Sequence, residues 1–164
     1  MATKINLEHK FGKSVAKVWA MYADRAFFEK KYKATGCTNI EVLDYKTSDK
    51  GFSITVRYDA ASDAPVPDFA KKFMSERVTV TQTDSWDAAT KTGKIVTEIK
   101  GMPVKVTADM KLEAAGKGAV NKMLWTLSCG IPLLGGKLEG LLGEDVKIKS
   151  ARDEQASQKL LEGY

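Results

Sequence analysis

The sequence contains few of the residues from which catalytic and metal centres are most often built. It has one histidine, His9, and two cysteines, Cys37 and Cys129, which stand far apart in the chain. One histidine and two separated cysteines cannot supply a dedicated zinc site. The chain also lacks a GxSxG elbow and the glycine-rich loops that bind phosphates. The sequence therefore predicts no metal and no cofactor, and it excludes the hydrolase and nucleotide-binding classes that these motifs identify.

Long apolar runs are missing as well. No run approaches the roughly 20 apolar residues that a membrane-spanning helix needs, and the opening MATKINLEHK lacks the apolar core of a signal peptide. The two cysteines show neither disulfide nor metal-ligand spacing. We therefore expect a reducing, cytoplasmic setting. At 164 residues the chain is expected to form a single domain spanning residues 1–164.

The net charge is +5, and arginine and aromatic residues are not concentrated on one stripe as nucleic-acid-binding proteins require. We therefore predict no nucleic-acid partner. A lysine-rich solvated surface is the favoured interpretation. The alternative is peripheral contact with anionic lipid, for which the local clusters are KKYK at 30–33 and Lys71 with Lys72.

The chain opens with a predicted strand and two short helices. Apolar residues alternate from residue 4 to residue 12, which predicts a half-buried strand with His9 as its only polar inward residue. Ser14 and Asp24 are suitable N-caps for two helices, and Gly36 is suited to ending the second.

Alternation with a period of two then dominates the chain and predicts six further strands. The predicted ranges are 40–46, 51–59, 75–87, 94–100, 104–113 and 120–130. The segment Pro65 to Met74 breaks this pattern because its prolines suit a sheet poorly. Phe69, Phe73 and Met74 give it an apolar face, so we expect it to act as a lid.

A long helix is predicted at the C-terminal end, from about Lys137 to Leu161, after the punctuation of IPLLGG. Its broad inward face comprises Leu138, Leu141, Leu142, Val146, Lys149, Ala156 and Leu160. Together the elements predict an α+β fold, in which a curved antiparallel sheet of about seven strands wraps a long helix.

Three stretches carry a resemblance to a known superfamily: SVAKVWAMYADRAFFEKKY, TQTDSWDAATKTGKIV and IPLLGGKLEGLLGEDVKIK. With the order of elements, they resemble the helix-grip superfamily, also called START-like or SRPBCC. It includes START lipid-transfer domains, the birch pollen allergen family and bacterial polyketide cyclases. The chain looks most like a bacterial branch described only as a domain of unknown function. The resemblance implies a cavity for a hydrophobic molecule between the sheet and the long helix.

The inward faces of the sheet and helix supply the candidate ligand-binding residues: His9, Phe52, Tyr58, Gln82, Asp84, Met110, Trp125, Cys129, Leu142 and Lys149. A lone buried histidine is more often a hydrogen-bonded core residue than a catalyst, and only Asp84 and Tyr58 are obvious partners for acid–base work. Either the charges of Asp145, Lys149 and Arg152 pair with one another along the helix or overhang the sheet edge, or Lys149 or Arg152 holds the polar head of a ligand at the cavity mouth.

The predicted function is binding or carriage of a hydrophobic or amphipathic, lipid-like molecule without chemical change. One alternative is an enzyme of the cyclase or aromatase type that uses His9, Asp84 or Tyr58 as acid or base. The other is an interaction module with a filled core. The carrier hypothesis predicts a cavity with apolar walls and a polar mouth, and the enzyme hypothesis predicts a cavity where titratable groups converge. The interaction-module hypothesis predicts no cavity.

Overall fold

Strands and one long helix account for most of the computed structural model, which describes residues 2–72 and 75–164. The predicted lid residues Phe73 and Met74 lie outside the described residues. The strands are β1 (Thr3–Phe11), β2 (Thr38–Ser48), β3 (Gly51–Ala61), β4 (Arg77–Asp87), β5 (Thr92–Ile99), β6 (Val104–Ala115) and β7 (Gly118–Cys129). The helices are α1 (Val15–Tyr22), α2 (Arg25–Ala34) and α3 (Gly135–Leu161), with a 3₁₀ turn at Asp68–Ala70.

The strands form one antiparallel sheet in the order β1-β7-β6-β5-β4-β3-β2. Strands β2 to β6 each pair with the next strand in the chain, whereas β1 pairs with β7. The first two strands therefore lie at opposite edges, and α1 with α2 connects one edge to the other. The predicted α+β helix-grip architecture, with two short helices after the first strand and a long last helix, is confirmed.

Local chemistry explains where the two short helices begin. The Ser14 hydroxyl accepts a hydrogen bond from the Lys17 N–H at 3.4 Å, and the Asp24 carboxylate accepts one from the Ala26 N–H at 3.0 Å. Each bond satisfies a backbone donor that the first turn of a helix leaves free. Gly36 follows α2 with a φ of +88°, a conformation that glycine adopts without strain.

A close approach between β4 and β5 shapes the inner face of the sheet. Trp86 and Gly93 are register partners, and a Cβ built on Gly93 would lie 2.6 Å from the Trp86 ring. The indole of Trp86 therefore lies against the backbone of β5, in the space that a side chain at position 93 would occupy. Trp86 also stacks on Tyr22 of α1, with ring centroids 5.4 Å apart, which ties the short helices to the sheet.

Helix α3 is 27 residues long, about 40 Å at 1.5 Å per residue, and lies along the sheet. Its buried face carries Leu138 and Leu142, as the sequence predicts, but it also buries polar side chains. These are Glu139, Asp145, Ser150 and Ser157. Buried polar groups require partners or a polar space to face, so the interior behind α3 is not a uniform apolar core.

Candidate functional site

Three adjoining spaces lie between α3, α2 and the concave face of the sheet. We call them the inner, outer and side compartments, and their empty volumes are about 550, 800 and 610 Å³, including the parts open to solvent. Ser150 and Asp153 of α3 line both the inner and outer compartments, and Tyr58 and Lys149 line both the outer and side compartments. Because they share walls, the three compartments are neighbours beneath the helix, and together we call them the chamber.

The outer compartment has mainly apolar walls. They come from the middle and last strands and the first half of α3: Val78, Val80, Ile99, Met102, Val106, Trp125, Leu142 and Val146. Apolar concave surfaces of this kind suit the hydrocarbon part of a ligand, because binding removes apolar surface from water.

The inner compartment is different because titratable and amide side chains meet there. His9, Lys31, Asp84, Asn121 and Asp153 all border it, alongside aromatic rings from α1 and α2. The first four are buried and Asp153 is half-buried. Groups from five separate elements therefore converge on one space.

His9 is a neutral side chain in this environment. Its Nε2 and the Ser150 Oγ are hydrogen-bonded at 2.8 Å, which joins β1 to α3. Burial, followed by the nearby Lys31 charge, lowers the pKa of His9 to about 4, and the bond with Ser150 offsets only part of this effect. A neutral imidazole offers one donor and one acceptor, so it suits hydrogen bonding rather than charge recognition.

Lys31 is a buried cation that the sequence analysis missed. Its side chain is 8% exposed, and its Nζ lies 4.8 Å from the centroid of the Tyr32 ring and 5.4 Å from that of Phe28. Attraction to the ring faces stabilises an ammonium group in such a position. Helical spacing could have indicated that Lys31 is buried, because it shares one face of α2 with Phe27, Phe28 and Tyr32.

Asp84 is connected to Tyr58 through Gln82. The Gln82 Nε2 donates to Asp84 Oδ1 at 2.9 Å, and the Tyr58 hydroxyl donates to Gln82 Oε1 at 3.3 Å. Burial raises the pKa of Asp84 despite the opposing Lys31 charge, and burial also raises the pKa of Asp153. The two carboxyl groups are therefore shifted towards the protonated form, which can donate a hydrogen bond.

Three buried polar atoms around the chamber have no hydrogen-bond partner among the described residues. Nε1 of Trp125 and Oδ1 of Asn121 lie beside the inner compartment, and the Tyr32 hydroxyl lies beside the side compartment. The Asn121 Nδ2 donates to the Tyr22 hydroxyl at 3.2 Å, so only its carbonyl side is left unpaired. An unpaired buried polar group costs about 1–3 kcal/mol. One donor and one acceptor therefore remain for another molecule in or beside the inner compartment.

A cluster of charges closes the outer edge of the chamber. The Lys149 Nζ lies 2.9 Å from a carboxylate oxygen of Asp63 and 2.5 Å from one of Asp145, and Arg152 also pairs with Asp63 at 2.9 Å. Asp145 accepts hydrogen bonds from the backbone N–H groups of Asp63 and Ala64. The cluster fastens the connection after β3 to α3. The Lys149 charge is therefore paired within the chain.

The sequence-predicted residues divide into those that border the chamber and those that do not. His9, Gln82, Asp84, Met110 and Trp125 line the inner compartment, and Tyr58, Leu142 and Lys149 line the outer one. Phe52 and Cys129 lie outside the three compartments. Phe52 packs on Trp19 and Phe28, with ring centroids 5.5 and 6.4 Å away, and Cys129 packs beside the cluster around Leu138.

The residues that sequence reasoning missed in the inner compartment are Lys31, Asn121, Ser150 and Asp153. Within residues 2–72 and 75–164, no three His, Cys, Asp or Glu side chains are grouped so that they could hold a metal ion. No helix in that part of the chain combines the length and apolar character that crossing a membrane requires.

Comparison with known proteins adds one family and a group of structures. A family model described as "Protein of unknown function (DUF2505)" matches residues 6–161. No curated protein sequence matches the chain.

Among solved structures, similarity extends over nearly the whole chain. The protein TTHA0849 from Thermus thermophilus is 14% identical with a TM-score of 0.70, and the match covers 98% of each chain. Ara h 8.0201 is 18% identical with a TM-score of 0.67 over 100% of both chains. The Zhui aromatase/cyclase from Streptomyces sp. R1128 is 13% identical with a TM-score of 0.68, over 99% of this chain and 94% of that one. At these identities the similarity establishes the fold alone.

Proposed function

The chain belongs to the family described as protein of unknown function (DUF2505) and has the helix-grip fold, and from that premise we propose that it binds an amphipathic small molecule beneath α3. The single observation that carries this proposal is the division of the chamber. An apolar outer compartment adjoins an inner one in which charged and amide side chains meet among aromatic rings. An interaction module with a filled core would not need either space.

The orientation of the ligand follows from the two unpaired atoms beside the inner compartment. A hydroxyl or amide group can accept a hydrogen bond from Trp125 Nε1 and donate one to Asn121 Oδ1. We therefore propose that the polar end of the ligand enters first and that its hydrocarbon part fills the outer compartment. The alternative orientation, with a head group held by Lys149, is disfavoured because Asp63 and Asp145 already pair with that charge.

Each hydrogen bond to an unpaired neutral group should contribute about 1 kcal/mol, or about fivefold in affinity. We therefore predict that an alcohol or a primary amide binds more tightly than a carboxylate with the same hydrocarbon tail. A carboxylate can accept from Trp125 but cannot donate to Asn121, and the carboxyl groups of Asp84 and Asp153 in the same compartment offset the attraction of the Lys31 charge.

Native mass spectrometry of the purified protein, followed by organic extraction, tests whether a molecule occupies the chamber. A second experiment measures displacement of a fluorescent fatty-acid analogue by decanol, decanamide and decanoate. The variant Asn121→Leu removes the unpaired carbonyl and should reduce the preference for the alcohol and amide by about fivefold. Asn6→Leu, at an exposed position on β1, is the matched control and should leave it unchanged. Equal affinity for all three compounds would contradict the proposed orientation.

A second candidate function is acid–base catalysis, which is favoured by the convergence of His9, Lys31, Asp84 and Asp153 on one compartment. A raised carboxyl pKa suits a general acid. One structural neighbour is an aromatase/cyclase, and another is a norcoclaurine synthase from Thalictrum flavum in complex with dopamine and hydroxybenzaldehyde. This supports a test with aromatic polyketide and lactone substrates.

If the protein is a carrier, it should leave such substrates chemically unchanged, and organic extraction should recover them intact. If the protein converted such a substrate, and the folded Asp84→Asn variant did not, the enzyme hypothesis would replace the carrier hypothesis. The proposed setting remains a reducing compartment, which suits the two free thiols of Cys37 and Cys129.

A further inference from the structure

Three connections meet at one end of the sheet, and we call this surface the loop end. It comprises residues 62–72 after β3, residues 100–103 between β5 and β6, and residues 130–134 before α3. The strand register brings these strand ends to the same end of the sheet, since Ala61 pairs with Arg77 and Val104 pairs with Cys129. Met102 of the loop end is also part of the wall of the outer compartment.

Leu133 projects from this surface into solvent. Its side chain is 99% exposed, the largest exposure among the exposed large hydrophobic residues, and its φ of 68° lies in the left-handed region that leucine rarely adopts. The neighbouring Ile131 and Leu134 are half-buried and pack beside the Leu138 cluster. The Gly135 N–H donates to the Ile131 carbonyl at 2.9 Å and closes the turn. The fold therefore holds this leucine outward.

Lysines outnumber acidic residues on and beside the loop end. Its exposed lysines are Lys71, Lys72, Lys100, Lys105 and Lys137, whereas its exposed acidic residues are Asp68, Glu76 and Glu98. Asp68 is already paired with Lys71 at 2.9 Å. The Lys137 Nζ lies 5.8 Å from the centroid of the Phe69 ring, which links the start of α3 to the 3₁₀ turn.

We propose that the loop end docks on an anionic lipid surface, with Leu133 inserted among the acyl chains and the lysines facing the head groups. An exposed apolar side chain on a surface with an excess of lysines has the chemistry of a peripheral membrane contact. A protein partner is less suited, because one projecting leucine offers little apolar area for a stable interface. This docking goes beyond the proposed ligand binding, although it would bring Met102 and the outer compartment close to the bilayer.

Vesicle co-sedimentation tests the proposal. The intact protein should bind vesicles of phosphatidylcholine containing about one-third phosphatidylglycerol, and added salt should weaken this binding. Leu133→Ser should lower the partition coefficient about tenfold because the inserted side chain is lost. Lys137→Glu should also lower it about tenfold or more, since the charge is reversed. Neither exposed position is expected to affect folding.

Controls come from β2, where the exposed residues Leu43 and Lys46 lie away from the loop end. Leu43→Ser and Lys46→Glu should each change the partition coefficient less than twofold. Equal binding to vesicles of phosphatidylcholine alone would overturn the proposal, as would equal losses from Leu133→Ser and Leu43→Ser. If light scattering instead showed a dimer that Leu133→Ser dissociated, the surface would be an interface between two copies. The ligand-displacement experiment is done in solution without vesicles, so failure of the membrane-docking proposal would leave the proposed ligand binding unaffected.

Discussion

His9 should make the free energy of unfolding sensitive to acid over a defined range of pH. In the folded protein its pKa is lowered from 6.5 to about 4, whereas in the unfolded chain the imidazole regains its ordinary value. Between these values the unfolded state binds a proton that the folded state does not. The stability is therefore fully present above pH 6.5 and is lost as the pH falls towards about 4.

The size of this effect follows from the two pKa values. Their difference, at 1.36 kcal/mol per pKa unit, corresponds to about 3 kcal/mol. The groups facing His9 modify the overall profile. Lys31 adds to the effect of burial, whereas Asp84 and Asp153, with raised pKa values, take up protons more readily in the folded state and so oppose the loss.

The substitution His9→Gln isolates the histidine from these other groups, because Gln does not titrate and can still bond to Ser150. Urea unfolding of both proteins, at about pH 7 and about pH 4.5, gives the free energies to compare. The wild-type protein should lose about 2–3 kcal/mol more than the variant over this range. The single histidine also gives one imidazole resonance in NMR, so its titration can be followed directly. Parallel stability profiles, or a titration midpoint near 6.5, would refute the account.

Three further predictions concern the chamber, its edge and a helix cap. Ala60→Phe places a ring in the outer compartment and should abolish binding of the fluorescent probe at little cost in stability, whereas Ala108→Phe, in packed core, should cost about 1–3 kcal/mol in urea unfolding. Partial burial alone would raise the Asp63 pKa, but bonds to Lys149 and Arg152 outweigh it and lower the pKa. Asp63→Asn should therefore speed amide exchange in residues 62–72, while Lys147→Met, at an exposed pair, should not. Ser14→Ala should lower the free energy of unfolding by about 1 kcal/mol.

The fold followed from the sequence because its signals are local. Alternation with a period of two defined the strands, and the hydroxyl of Ser14 and the carboxylate of Asp24 marked the helix starts. The Pro pair around Val66 marked the break in the sheet, where the structure has one 3₁₀ turn. Each of these features depends on neighbours within a few residues.

The inner compartment was harder to predict, because its residues become partners only after folding. Ser150 is buried, and its hydroxyl finds its partner in His9, 141 positions earlier in the chain. Lys31 belongs to a lysine cluster that suggested an exposed surface, yet aromatic rings on the same helix face surround its charge. Periodicity assigns a residue to a face, but it does not reveal which polar groups will meet there.

Phe52 illustrates a second limit. Alternation places it on the same face of β3 as Tyr58, and both are buried. Phe52 lies in a packed aromatic cluster with Trp19 of α1 and Phe28 of α2, whereas Tyr58 stacks on Tyr32 near the end of α2 and borders the chamber. The position along the strand decides between core and cavity, and the pattern of a single strand does not encode it.

The missing side chain at Gly93 influences the shape of the inner compartment through Trp86. Trp86 forms part of that compartment's wall, and it lies back against β5 only because residue 93 leaves the space empty. A methyl group there would push the indole away from β5, towards Tyr22 of α1, and change the shape of the compartment, although residue 93 does not line it. For the proposed ligand binding, variation at this one position should therefore change the range of molecules accepted without altering any side chain that lines the compartment.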